Sequence, residues 1–181
     1  YLLGFYVADG SLNEERNTIS VSIAEQDKEI IELYKNISPE ARCTIYKERT
    51  LIGPKGKEIH GQSMVRIDIS NKKLGSSLVQ LGYGQRKTYK EMHLPDLPDY
   101  LIWHFIRGYF DGDGCISRHV HNTCVTPHIE LLGTKQMLEH VLLYSGISAK
   151  YKHDIRHSEE TWSLEWTKDL GIEFINYLYN N

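Results

Sequence analysis

Two short stretches of this 181-residue chain repeat one arrangement of small and acidic residues. Leu3-Gly4-Phe5-Tyr6-Val7-Ala8-Asp9-Gly10-Ser11 recurs in character as Arg107-Gly108-Tyr109-Phe110-Asp111-Gly112-Asp113-Gly114-Cys115, each a glycine, four residues, then Asp-Gly. The apolar helical pattern before each Asp-Gly carries Gly4 and Ala8, or Gly108 and Gly112, on its surface. Two such helices can pack closely, because nothing beyond Cβ holds their backbones apart. That pairing sets Asp9 beside Asp113 at the helix ends. Two carboxylates so placed and partly buried repel one another unless a cation neutralises them, and hard oxygen donors suit Mg²⁺. Open to a phosphodiester, such a site has the chemistry of metal-assisted hydrolysis. One Asp-Gly alone reads equally as a polar helix cap, but two copies at matching places do not.

The elements that position these residues also come in duplicate. Ile69-Ser70-Asn71-Lys72-Lys73-Leu74-Gly75 is echoed 96 residues later by Glu165-Trp166-Thr167-Lys168-Asp169-Leu170-Gly171, whereas the Asp-Gly motifs stand 104 apart. Two echoes in one order imply a duplicated unit, with halves at 1–84 and 100–181 joined by a link at 85–99, where Pro95 and Pro98 stop helices. In the first half, alternation predicts strands over 18–24, 42–49 and 63–70 and helices over 26–37 and 71–81, the last capped by Asn71 and ended by Gly82. The second half predicts a motif helix over 100–111, strands near 115–120, 128–132, 149–155 and 161–166, a helix over 134–144 capped by Thr134, and a final helix over 168–179. The fold class is α+β, with the order αββαββα twice.

Composition narrows the function classes. The chain is 40% hydrophobic and 25% charged, the balance of a globular protein, and no apolar run approaches the roughly 20 residues that cross a bilayer. Cys43, Cys115 and Cys124 form no CxxC pair, which fits a reducing, intracellular setting rather than a secreted one. The chain opens at Tyr1 inside a helical pattern, which reads as a fragment of a longer product. A net charge of −3 gives no global footprint of nucleic-acid binding, but it hides an asymmetry. Residues 1–92 carry 14 Lys+Arg against 12 Asp+Glu, and residues 93–181 carry 7 against 12, with eight of the nine histidines. An EF-hand register on Gly114 would put Tyr109 and Val120 at ligand positions, which excludes a calcium loop. Cys115, His119, His121, Cys124 and His128 match no common zinc spacing, and strand alternation splits them between two faces. Arg42, Lys47, Arg49, Arg66, Arg118, Lys150 and Lys152 lie on predicted strands, where residues of one parity share a face that is either an ordinary solvated sheet face or one whose cations reach base edges or phosphates. Tyr46 and Tyr151 read as packing residues at matching places, and Lys87 in the link as a phosphate contact or an ordinary exposed lysine.

LLGFYVADG and IRGYFDGDG resemble the two signature copies of the LAGLIDADG homing endonuclease family. SIAEQDKEII, ISNKKLGSSLVQLG, RKT and the FIRGYFDGDGCIS block agree with it, so the resemblance covers essentially the whole chain. It implies a monomer of two pseudo-symmetric halves with motif helices packed at their interface. The two antiparallel sheets would form a saddle over double-stranded DNA with a long asymmetric target. It implies Mg²⁺ bound by Asp9 and Asp113 with Ala8 and Gly112, a site Ca²⁺ or Mn²⁺ can also fill, and cleavage leaving short 3′ overhangs. Around the attacking water it implies Lys72 and Lys168, together with Glu25 and, in the second half, Gly133, where family members often carry Gln or Lys. The resemblance also implies a role in intron, intein or free-standing gene mobility, exercised in the cytoplasm, nucleoid or organelle matrix. A noncatalytic RNA maturase or DNA-binding regulator on the same scaffold is the alternative, and an intein's endonuclease insert a third reading.

Overall fold

The computed structural model of the protein describes residues 1–52, 58–85, 92–121, 124–154 and 161–180, so Lys87 lies outside the described residues. By compactness the chain divides into a continuous unit, Asp9–Gln85, and a discontinuous one, Tyr1–Ala8 with Arg86–Asn181. The compact units and the sequence repeat are thus different divisions of one chain, because the first motif helix belongs with the second.

In the continuous unit, β1 (Gly10–Asn13) and β2 (Thr18–Ala24) form a hairpin, and a 3-10 turn (Glu25–Asp27) leads into α2 (Glu29–Ile37). Then come β3 (Arg42–Tyr46), β4 (Arg49–Ile52), β5 (Glu58–Gly61), β6 (Met64–Ser70) and α3 (Lys72–Gln80). The antiparallel sheet runs β1-β2-β6-β3, while β4 and β5 pair only with each other. The strand expected over 42–49 therefore stops at Tyr46, and Arg49 begins a separate hairpin. Ile19, Val21 and Ile23 lie opposite Ile69, Ile67 and Val65, and all six are buried. Ile31 and Tyr34 of α2 and Leu78 of α3 complete this core, each worth about 2 kcal/mol when buried. Asn71 caps α3 by accepting from the Leu74 amide at 3.0 Å. Gly82, at φ 86°, takes the left-handed turn that ends the helix and lets the Tyr83 amide return to the Leu78 carbonyl at 2.8 Å.

In the discontinuous unit, α1 (Leu2–Asp9, within the unit to Ala8) joins α4 (Asp99–Asp113), β7 (Gly114–His121), β8 (Cys124–Gly133), α5 (Lys135–Ser145), β9 (Lys150–Asp154), β10 (Thr161–Thr167) and α6 (Lys168–Tyr179). Its antiparallel sheet runs β7-β8-β10-β9, the same order as β1-β2-β6-β3 strand for strand. Ile129, Leu131, Leu164 and Trp166 are buried with Met137, Leu138 and Val141 of α5 and Phe174 of α6. Trp166 stacks on Phe174 at 3.8 Å, and its indole donates to the Ile147 carbonyl at 3.3 Å. Thr134 caps α5, accepting from the Met137 amide at 3.3 Å while its hydroxyl donates to the Met92 carbonyl at 2.6 Å. Among the described residues, no helix is long and apolar enough to cross a membrane.

Candidate nucleic-acid interface

The motif helices cross at their glycines. A Cβ built on Gly4 would lie 2.0 Å from the Phe105 carbonyl oxygen and 2.8 Å from the Tyr109 amide. One on Gly108 would lie 2.0 Å from the Tyr1 carbonyl oxygen and 2.9 Å from the Phe5 amide. Exchanging the helices at an offset of 104 residues carries one set of contacts onto the other, which is a local twofold written in backbone atoms. Five residues past each glycine stands an aspartate that is the last residue of its helix, Asp9 on α1 and Asp113 on α4. Asp9 is exposed and Asp113 half-buried, as are Ala8 and Gly112. The donors these residues offer are carboxylate and main-chain carbonyl oxygens, a set that fits a hard divalent cation. Among the described residues, no three His, Cys, Asp or Glu side chains gather as a metal site, and the side chains of His121 and Cys124 lie outside the described set.

The remaining motif carboxylate has another task. Asp111 accepts hydrogen bonds from Tyr1 Oη at 2.7 Å and from Tyr179 Oη, tying α1 and α6 to α4. The Arg107 guanidinium lies 5.6 Å from the Tyr1 ring centroid and 5.0 Å from that of Tyr179. Burial, then the Asp111 carboxylate, raises both phenol pKa values well above the ordinary range. Val7, at the matching place in α1, is 1% exposed, which leaves no room for a charge there.

Each sheet buries one face and leaves the other open. In the continuous unit the open face carries Ser11, Ser20 and Ser22, then Arg66 and Asp68 on β6, then Arg42, Thr44 and Tyr46 on β3. Arg66 Nε donates to Asp68 Oδ1 at 2.8 Å and its Nη2 to Ser20 Oγ at 2.8 Å, while that hydroxyl donates to Asp68 at 2.5 Å. Lys47 is exposed after β3 ends, and Arg49 is exposed on the β4–β5 hairpin, so neither belongs to this face.

In the discontinuous unit the open face carries Cys115, Ser117 and His119, then His128 and Glu130, then Ser163, Glu165 and Thr167, then Lys150 and Lys152. Lys152 Nζ pairs with Glu165, His128 Nε2 stands 3.8 Å from it, and the His119 ring stacks on His128 at 4.3 Å. Burial alone would raise the Glu165 pKa, but the Lys152 hydrogen bond and the charges of Lys152, His128 and Lys150 together hold it below the ordinary carboxylate range. Arg118 alternates with Ile116 and Val120 onto the opposite side of β7, away from Lys150 and Lys152. Tyr151, opposite buried Leu164, stacks on Trp162 at 4.8 Å as a packing residue, but Tyr46 is 48% exposed on the open face. The two tyrosines therefore do not match.

Lys72 and Lys168, both exposed, open α3 and α6. Lys168 does so at φ 56°, in the left-handed region. Glu25 is exposed at the start of the 3-10 turn, its amide donating to the Ser63 carbonyl at 3.0 Å. The sheet register corrects its pairing with Gly133. Gly10 lies opposite Val21 and Gly114 opposite Leu131, so Gly133 corresponds to Ile23, and Glu25 corresponds to Lys135. The β7–β8 hairpin is longer than β1–β2, which shifts the count. Gly133 is small because a Cβ there would lie 2.6 Å from Tyr109 Oη, which donates to the Leu132 carbonyl at 3.0 Å. Lys135, which the sequence reading missed, is an exposed cation 5.6 Å from the Trp162 ring centroid. Only the strand register could have found it.

Residues 101–172 match the family model of a LAGLIDADG-like domain. Among solved structures, the LAGLIDADG homing endonuclease I-GzeII in complex with its DNA target is similar over 99% of this chain and 81% of its own, at 14% identity and a TM-score of 0.64. The homing endonuclease I-SmaMI bound to cleaved DNA is similar over 99% and 81%, at 15% identity and a TM-score of 0.61. I-LtrWI bound to target DNA is similar over 100% and 82%, at 13% identity and a TM-score of 0.59. Among curated proteins, no sequence matches the chain.

Proposed function

From a chain that has the LAGLIDADG homing-endonuclease fold, with a LAGLIDADG-like domain at residues 101–172, we infer a site-specific endonuclease that hydrolyses both strands of double-stranded DNA and leaves short 3′ overhangs. The observation that carries this reading is the pair of motif helices, crossed at Gly4 and Gly108 and each ended by an aspartate. A helix crossing needs the glycines but has no use for two terminal carboxylates, whereas a divalent cation does.

Asp9 and Asp113, with the carbonyls of Ala8 and Gly112, would hold Mg²⁺, which when bound would lower the pKa of water and neutralise charge on the leaving oxygen. Lys72 and Lys168 attract the phosphodiester and orient the attacking water, and Glu25 accepts its proton. Arg42 and Arg66 on one open face, and Lys150 and Lys152 on the other, contact DNA. Lys47, Arg49 and Arg118 reach phosphates outside those faces, and Lys87 in the link is a further phosphate contact. The protein works as a monomer on a long asymmetric site, with its repeats at 1–84 and 100–181, in the cytoplasm, nucleoid or organelle matrix, and it serves the mobility of an intron, intein or free-standing gene.

The acids on the open faces, Asp68, Glu130 and Glu165, favour a second reading, a noncatalytic nucleic-acid binder such as a maturase or regulator. Incubating a randomised duplex library with Mg²⁺ or Ca²⁺, for wild type and Asp113→Asn, and sequencing the ends separates the two. Double-strand cuts at one enriched site, lost in the variant and in Ca²⁺, support the nuclease. Enrichment by binding without Mg²⁺-dependent ends supports the binder.

A further inference from the structure

We propose that Arg66, held by Asp68 and Ser20, reads one guanine in the DNA major groove and gives the protein its base preference at that position. The inference rests on the nucleic-acid reading of the open sheet faces and names what one of them recognises. Arg66 sits on β6, inside the β1-β2-β6-β3 sheet, with Ser22 and Thr44 opposite it on either side. Guanidinium has five N–H donors in a rigid plane. Asp68 takes the one on Nε and Ser20 takes one on Nη2. The two on Nη1 and the second on Nη2 have no partner among the described residues, and the side chain is 39% exposed. The outer edge of the fork is therefore held open in one orientation.

Two arguments point from that edge to guanine rather than to phosphate. The Asp68 carboxylate cancels much of the guanidinium charge and would itself repel a phosphate, so what remains is directional hydrogen bonding. Guanine O6 and N7 are two acceptors spaced for that fork, and no other base presents two acceptors side by side in the major groove. The discontinuous unit supplies a contrast at the corresponding register. Glu165 there engages Lys152, whose ammonium is a point charge without a fork, so among the described residues that face has no equivalent reader.

The test is selection of a randomised duplex pool by binding in Mg²⁺-free buffer, using full-length wild type, Arg66→Ala, Arg66→Lys, Asp68→Asn and Asp68→Ala. The wild-type consensus is expected to contain a guanine whose preference falls about tenfold in both Arg66 variants while the other positions keep theirs. Retention at the other positions is also the control for folding. Asp68→Asn, which keeps the acceptor, should hold the preference, and Asp68→Ala should lower it. Placing 7-deazaguanine at that position should cost wild type the same factor and cost Arg66→Ala nothing. A consensus with no Arg66-dependent guanine overturns the assignment and leaves the nucleic-acid reading standing. So does uniform weakening of all sequences with a salt slope lower by about one, the mark of a phosphate contact. A wild-type pool that yields no consensus overturns both.

Discussion

Lys168 is a non-glycine residue at φ 56°, a conformation that costs an L side chain roughly 1 kcal/mol and is kept where something else requires that side chain. Lys168→Gly is expected to raise stability by about 1 kcal/mol and to lower Mg²⁺-dependent cleavage, read by denaturant unfolding and by a cleavage assay on the selected site. If cleavage is unchanged, the lysine has no catalytic part. Glu165 offers a pH test. Its folded pKa lies below the unfolded value, so the stability it contributes is present above the ordinary carboxylate range and is lost as pH falls through the folded value. Glu165→Gln should therefore melt below wild type near neutral pH, and the gap should close below roughly pH 4. At this scale the places of the motif aspartates and of Lys72 and Lys168 at helix ends were legible in the sequence, because Asp-Gly and helix-start signals are local. The sequence matched Tyr46 to Tyr151 as a packing residue and paired Glu25 with Gly133 rather than with Lys135, because which face and which partner a strand residue takes depends on a register set by hairpin length.

Elements were more legible than side chains. The final helix begins and ends at Lys168 and Tyr179 as expected, and Asn71 and Thr134 cap as expected, because a cap side chain and a 3.6-residue period act within a few residues. The break between Tyr46 and Arg49 was not legible, since both sides of it keep β-forming residues and only the partner strand changes from β6 to β5. Helix crossing at the glycines gives a sharper test than any cap. Gly108→Ala sets a methyl against the Tyr1 carbonyl and is expected to cost about 3 kcal/mol in unfolding free energy. Asn71→Ala, which removes one amide acceptor, should cost about 1 kcal/mol. Equal losses in the two variants would mean that the crossing relaxes without strain.

For the whole molecule, the repeat was legible in the sequence but the compact units were not. Two echoes identify a duplication, and the shared strand order of the two sheets bears that out. Nothing local says that residues 1–8 leave their own half to join α4. Native-state hydrogen exchange should therefore sort the amides of Tyr1–Ala8 with those of α4 to α6 rather than with β1 and β2. Exchange that groups them with β1 and β2 would make the repeat the cooperative unit instead. A discontinuous unit also imposes an order on birth. The ribosome makes α1 first and its partner glycine 104 residues later, a delay on the order of ten seconds at ordinary elongation rates. Through that interval the continuous unit can close behind it, while Phe5, Tyr6 and Val7, buried in the finished fold, wait without α4. The nascent chain thus carries a sticky segment through that interval, and its survival depends on what shelters that segment before α4 emerges.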